Sequence, residues 1–185
     1  GWYRQLWEGI LGRPIQVEHV ETLLKGNDCC TLVITLPVNA DGIDRLHLMD
    51  LATMRDLPLP ALPQGVIGGL EFSPDGSRLG LVLNTPRSPG DVYSIELATK
   101  ELVRWTFSEV GGLNPATFVD AELIRYPSFD EVDGVPRTIP AFVYRPQGEG
   151  PFPVLIDIHG GPEGQERPTF SPWTQYLVNE LGIVV

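Results

Sequence analysis

The residues with the clearest chemical potential are His159-Gly160-Gly161-Pro162. They follow an almost wholly apolar run, Phe152-Pro153-Val154-Leu155-Ile156-Asp157-Ile158, and lead into Glu163-Gly164-Gln165. Two glycines at the carboxyl end of a buried strand let the backbone approach a ligand closely. Consecutive backbone N–H groups can then point into one space. Such donors suit an oxyanion, the charge that develops on a tetrahedral intermediate, and losing one of them raises a barrier by about 3–4 kcal/mol. His159, Gly160 and Gly161 are therefore the candidate site residues. A tight turn that merely leaves a sheet has the same sequence, and these three residues alone do not separate the two readings.

Other residues that could do chemistry read as structural. Asn39-Ala40-Asp41-Gly42-Ile43-Asp44 has the outline of a calcium loop. Its third position is Ala, and Asp50 stands where the closing Glu should be. It is expected to be a hairpin turn. His19 and His47 have no partners at metal-ligand spacing, so no metal is expected. Cys29 and Cys30 are adjacent, and neighbours on a strand point to opposite faces, so they do not readily pair. No cofactor is expected either. A serine nucleophile on a strand-to-helix elbow needs G-x-S-x-G. None of Ser73, Ser77, Ser88, Ser94, Ser108, Ser128 and Ser171 has Gly at both flanking second positions.

The elements around the loop must hold it. Phe152–Ile158 is predicted to be a parallel strand buried on both faces, because its apolar run is nearly continuous. Ser171-Pro172 predicts an N-cap followed by Pro at the first helical position. The helix carries Trp173, Tyr176, Leu177 and Leu181 on one face, Gly182 ends it, and Ile183-Val184-Val185 begins another strand. Strand, loop, helix and strand make a βαβ unit of an α/β domain. Upstream, Ala121–Pro127 and Ile139–Pro146 are predicted strands, with a turn at Asp133-Gly134.

Residues 1–122 read differently. Short strands are predicted at Thr31–Leu36, Arg45–Leu51, Val66–Phe72, Arg78–Leu83, Asp91–Leu97 and Leu102–Trp105, each bounded by turn residues. Leu48-Met49-Asp50-Leu51-Ala52-Thr53-Met54 matches Ser94-Ile95-Glu96-Leu97-Ala98-Thr99-Lys100 at an offset of 46 residues. The strands Thr31–Leu36 and Ser77–Val82 fall at the same offset. A period of about 40–50 residues with several strands per unit is that of propeller blades. Phe72-Ser73-Pro74-Asp75-Gly76-Ser77 is a strong turn signal, with Pro74 and Asp75 in the central positions of a type I turn and Gly76 left-handed. It resembles the turn of WD-like blades.

Composition narrows the classes. The chain has 185 residues, 24 acidic and 13 basic, for a formal net charge of -11. Its 20 Gly and 18 Pro make up roughly a fifth of it, well above the usual 12% or so, which excludes a helical bundle. A hydrophobic share of 42% excludes a disordered tail. The acidic balance and the lack of a Lys/Arg cluster argue against a nucleic-acid partner, and no apolar run reaches the length of a membrane span. No cysteine framework points to secretion, and compartment and oligomeric state carry no signal. Both ends look cut. Residue 1 has no start signal, and Gly182–Val185 reads as the start of a buried strand.

Residues Val135–Val185 resemble the start of the catalytic domain in the prolyl oligopeptidase family of serine peptidases, closest to its acylaminoacyl-peptidase and dipeptidyl-aminopeptidase-like branch. The residues that carry this are Ile139-Pro140-Ala141-Phe142-Val143-Tyr144-Arg145-Pro146 and Pro153-Val154-Leu155-Ile156-Asp157-Ile158-His159-Gly160-Gly161-Pro162. Propeller first and α/β hydrolase second is also the family's order. The resemblance implies β-propeller blades over 1–122 and the first strands and helix of an α/β-hydrolase domain over 123–185, with both domains incomplete. It implies a peptide substrate, acyl transfer, and a propeller that gates access. His159, Gly160 and Gly161 match the oxyanion-hole loop. Some branches use a Tyr hydroxyl where His159 stands, so backbone N–H around Gly160 or Gly161 is the expected donor here. The Ser, Asp and His of the triad are expected beyond Val185, which leaves this stretch inactive alone. The alternatives are an α/β-hydrolase esterase and a non-enzymatic propeller scaffold that binds protein or peptide.

Overall fold

The internal repeat folds as two sheets of the same order. The computed structural model describes residues 21–25, 31–50, 53–161 and 164–185. His19, Cys29, Cys30, Leu51, Ala52, Pro162 and Glu163 lie outside the described residues. The first sheet is β1 (Glu21–Lys25), β2 (Thr31–Ala40), β3 (Ile43–Asp50) and β4 (Arg55–Leu57), in that spatial order and antiparallel throughout. The second is β5 (Val66–Phe72), β6 (Arg78–Thr85), β7 (Ser88–Glu96) and β8 (Leu102–Arg104), again in chain order and antiparallel. The repeat reaches the backbone. Met54 and Lys100, 46 residues apart, both take positive φ, at 54° and 65°. For a non-glycine residue that conformation is uncommon.

Turn chemistry sets the hairpins. Asp41 and Gly42 both have positive φ between the paired Ala40 and Ile43, as a two-residue type I′ turn requires. The Gly42 N–H donates to Asn39 Oδ1 at 2.8 Å. The predicted hairpin at 39–44 is therefore present. At Ser73–Arg78 the Gly76 N–H donates to the Ser73 carbonyl at 2.8 Å and Gly76 has φ +67°. Asp75 accepts from the Ser73 and Ser77 hydroxyls and from the Ser77 N–H. Those hydrogen bonds, Ser73 first, hold its carboxyl at about 2.

The second sheet owns the main core. Along β6, Leu79, Leu81, Leu83 and Thr85 are buried and alternate with less buried residues, the period of two that a half-buried strand imposes. Ile67, Leu70, Tyr93 and Ile95 complete the cluster. Leu46 of the first sheet and Leu59 and Leu62 of the connection pack against it. Asp44 ties the sheets further, since its N–H donates to the Gly65 carbonyl at 2.9 Å and its Oδ2 accepts from the Ile67 N–H at 2.7 Å.

After β8 the chain runs to Ala121 with no strand, only a single 3-10 turn at Pro115–Thr117. A two-stranded antiparallel ribbon follows, β9 (Glu122–Val132) and β10 (Val135–Val143), closed by Asp133-Gly134 with both φ positive. Both strands run further into this turn than the sequence predicts. The helix α1 spans Pro172–Asn179, and the Ser171 hydroxyl accepts from the Thr174 N–H at 3.1 Å as the predicted N-cap. Gly182, at φ +65°, turns the chain so that the Ile183 N–H reaches the Leu177 carbonyl at 3.0 Å.

Two expectations are corrected. Phe152–Ile158 is not a buried strand among the described residues. It contributes one parallel bridge, Val154 to Val184, while Ile156 and Ile158 are 79% and 83% exposed. A parallel strand gets its cover and its second ladder from elements distant in sequence, and the described residues supply one helix. The buried face of α1 also differs. Gln175, Leu177 and Val178 face inward, while Trp173 and Tyr176 stack on each other at 6.1 Å and Leu181 is exposed. The helix turns this side inward because the Gln175 amide is bonded to the chain beneath it.

The termini of these segments still meet. The Val184 N–H donates to the Pro153 carbonyl at 2.9 Å, and the Leu155 N–H to the Val184 carbonyl at 2.8 Å. Tyr144 and Val185 exchange both backbone hydrogen bonds, at 2.8 and 3.1 Å. Residues 184–185 thus lie between the end of β10 and Pro153–Leu155.

Candidate functional site

The glycine loop projects from the end of Pro153–Leu155. His159, Gly160 and Gly161 are all exposed. Gly161 has φ +73°, a conformation that favours glycine. A Cβ on Gly160 or Gly161 would meet nothing within 4 Å, so space beside both backbones is open. Gly164 closes the loop on itself, because a Cβ there would lie 2.7 Å from the Gly160 carbonyl oxygen. The His159 Nδ1 is 3.3 Å from that same oxygen, within reach of donation in the tautomer that protonates Nδ1. The Gly160 and Gly161 N–H groups donate to no other described residue.

A hairpin of the first sheet contacts the segment that follows this loop. Asn39 Nδ2 donates to Gln165 Oε1 at 2.7 Å. Arg167 Nε donates to the Gly42 carbonyl at 3.3 Å, and its Nη2 pairs with the buried Asp44 carboxylate. Gly42 leaves no room for a side chain, since a Cβ would sit 2.8 Å from the Glu166 carbonyl oxygen. Arg125 of β9 pairs with Asp41 at the hairpin tip. A groove of about 330 Å³ is lined by Phe142, Tyr144, Leu155 and Val184, with Asp157 and Glu166 also on its wall. Burial there pushes the Tyr144 hydroxyl up to about 12, and the charge of Glu166 adds to the shift.

The helix is clamped to the second sheet by one side chain that the sequence reading did not single out. Gln175 is 1% exposed, and every valence of its amide is used. Its Nε2 donates to the Pro86 carbonyl at 2.8 Å and to the Val119 carbonyl at 2.9 Å. Its Oε1 accepts from the Val119 N–H at 3.1 Å and from Asn179 Nδ2 at 2.9 Å. Nearby, the Phe170 N–H donates to Asn84 Oδ1 at 2.8 Å, and Phe118 and Phe170 pack with ring centroids 5.4 Å apart. A lone Gln on a short helix carries no motif. The available signal was its place one residue before Tyr176, on a helix with few other polar groups able to face inward.

The described serines are mostly occupied in structure. Ser88 and Ser108 bind Asp91, Ser94 accepts from Trp105 Nε1, Ser73 and Ser77 bind Asp75, and Ser171 caps the helix. Asp91 is fully buried and also bonds Thr106 and Arg104, with Arg104 Nη2 at 2.6 Å. Burial pushes its carboxyl up, but the hydrogen bonds from Ser88, Thr106 and Ser108 outweigh that and hold it at about 2. His47 lies 3.5 Å from Asp56 and bonds no serine. Among the described residues no cluster of His, Cys, Asp or Glu could hold a metal ion, and no helix is long and apolar enough to cross a membrane.

No family model matches the chain, and no curated protein matches it. Solved structures do. The chain is similar to a puromycin hydrolase with a TM-score of 0.64 and 20% identity, covering 83% of this chain and 23% of that one. It is similar to a prolyl endopeptidase with a TM-score of 0.59 and 20% identity, covering 92% and 23%. The prolyl oligopeptidase B of Galerina marginata, solved with a 35mer hydrolysis and macrocyclization substrate, gives a TM-score of 0.63 at 17% identity, covering 92% and 23%. The chain shares the fold of a portion of these peptidases. It spans about 23% of the length of each. Among the described residues the architecture is mostly β, with three small antiparallel sheets and one short helix, and is consistent with propeller blades.

Proposed function

We propose that this chain is the seam of a prolyl-oligopeptidase-type serine peptidase. Residues 1–122 are closing blades of its propeller, and 123–185 begin its α/β-hydrolase domain. One observation carries the reading. Residues 184–185 lie between the end of β10 and Pro153–Leu155, bonded to both, after a helical crossover from a parallel partner. Two four-stranded repeats precede it in the chain. A crossover of this kind builds an α/β sheet, and ligands bind such sheets at the carboxyl ends of their strands, where the 159–161 loop stands.

In this reading the loop does electrostatic work. Attack on a peptide carbonyl places negative charge on its oxygen, and the Gly160 or Gly161 N–H donates to that oxygen. The open space beside both glycines, whose N–H groups donate to no other described residue, supports this role. His159 is not the general base, because in this fold the base follows the nucleophile in the chain. The nucleophile, acid and base lie beyond Val185. The blades filter short peptides, as in the acylaminoacyl-peptidase branch.

The test is activity of the full-length gene product on aminoacyl and peptidyl anilides. Cleavage of these, with Gly161→Ala lowering kcat by about 10²-fold or more and KM little changed, is expected. Hydrolysis of p-nitrophenyl esters alone would instead favour an esterase.

A further inference from the structure

We propose that the cavity between the second sheet and the chain after β8 binds the carboxylate of a small acid with an apolar body. The cavity holds about 660 Å³, within the roughly 300–1,000 Å³ usual for small-molecule sites. Arg87 and Arg104 both line it, together with Tyr93, Phe107 and Asp120. Two guanidinium groups on one cavity stand out in a chain with 13 basic and 24 acidic residues. Arg104 is held from behind. Its Nη2 donates to the Asp91 carboxylate at 2.6 Å and to the Ser88 hydroxyl at 2.9 Å, and its Nε to the Thr106 carbonyl at 2.9 Å. A guanidinium carries five N–H donors in a rigid fork. Those bonds occupy three of them, and the two on Nη1 donate to no other described residue. Nη1 is also within reach of solvent, because Asp130 Oδ1 is the one buried side-chain polar atom among the described residues that lacks a partner.

The site is preorganised. Fully buried Asp91 accepts from Ser88, Thr106 and Ser108 as well as from Arg104, which fixes residues 104–108 against β7. Little side-chain freedom is then left for a ligand to freeze out. Asp91 offsets the charge of Arg104, so Arg104 contributes a directed donor and Arg87 contributes the charge. Arg87 Nη1 lies 3.7 Å from Asp120 Oδ2, beyond hydrogen-bond range, and both side chains are exposed. A ligand carboxylate on Arg104 Nη1 takes Arg87 as its counter-ion in competition with Asp120. The Phe107 ring covers the Arg104 guanidinium with its centroid 4.5 Å away and is itself 76% exposed. With Val110 and Pro115 it supplies an apolar wall. A charged arm, a directed donor and an aromatic wall select a monocarboxylate with a ring or branched apolar body. Such a group comes as a free acid or as the C-terminal residue of a short peptide. The assignment is independent of the peptidase reading.

The experiment is isothermal titration of the full-length gene product with hydrocinnamate, with its amide, and with acetyl-dialanyl-phenylalanine. Wild type is expected to bind an acid, and to bind the amide about tenfold or more weakly, because the amide cannot form charge-assisted hydrogen bonds. Binding of hydrocinnamate identifies a free acid as sufficient, and binding of the peptide alone identifies a chain end. Arg87→Gln should weaken the bound acid by about tenfold. Phe107→Ala should weaken it severalfold, through the lost wall. Asp120→Asn removes the competing carboxylate and should tighten it severalfold. All three replace exposed side chains, and an unchanged Tm shows that each variant folds. Should Phe107→Ala lower the Tm, the other two carry the test. Binding of neither acid, or of acid and amide alike, overturns the proposal. An affinity unchanged in Arg87→Gln, or not raised in Asp120→Asn, overturns it as well. A gene product without peptidase activity refutes the proposed function and leaves this titration intact.

Discussion

The second four-stranded sheet and the segment after β10 carry similar apolar content, yet the chain treats them in opposite ways. In β5–β8 the strands follow one another through tight turns, and Leu79, Leu81, Leu83 and Ile95 are almost fully buried. In 152–158 the same kind of residue lies open, with Ile158 at 83% exposure. The difference is topological. An antiparallel meander finds each neighbour within a few residues, whereas a parallel strand must wait for a crossover and further strands. The first region closes from local sequence, and the second, among the described residues, makes one parallel bridge and stays open.

That contrast can be broken or sharpened. The largest expected effect is Leu81→Ala, which removes a side chain 1% exposed from the core of the second sheet. Urea unfolding should show a loss of about 2–5 kcal/mol. Next is Gln175→Ala, which leaves the Pro86 carbonyl and both backbone groups of Val119 without their partner. It should cost about 1–3 kcal/mol and uncouple the exchange protection of α1 from that of β6 and β7.

The third concerns pH. Asp91 is held at about 2, below its ordinary 3.8. A lowered acid contributes stability that is fully present above 3.8 and lost as pH falls through about 2. The Tm difference between wild type and Asp91→Asn should therefore be greatest at neutral pH and shrink towards pH 2. A difference that persists undiminished at the acid end would contradict the assignment. The smallest effect is Ile158→Ala in this chain, within about 0.5 kcal/mol for an exposed site. In the full-length product the same substitution should cost several times more, because the proposed sheet buries it.

Much of the pair of four-stranded sheets was legible in the sequence. The 46-residue offset, the alternation in Arg78–Leu83 and the turn residues at 39–44 and 73–77 are local signals, and local contacts decide hairpins. The start of α1 at Ser171 and the left-handed turn at Gly182 were legible for the same reason, although the helix ends at Asn179, short of the predicted Leu181. The inward face of the helix was not. Its apolar spacing pointed to Trp173 and Tyr176, but a satisfied amide on Gln175 decides which side turns in. The pairing of Arg167 with Asp44 was invisible too, because it joins residues 123 positions apart with no pattern in either segment. The His-Gly-Gly loop was legible as a candidate donor, while the contacts of the segment after it were not.

The most direct measurement is fluorophosphonate labelling of the full-length gene product, followed by mass-spectrometric location of the modified residue. The account predicts a single labelled serine beyond Val185, within G-x-S-x-G, and no label on residues 1–185. Absence of labelling in folded full-length protein, or a label on any serine of this chain, would contradict it.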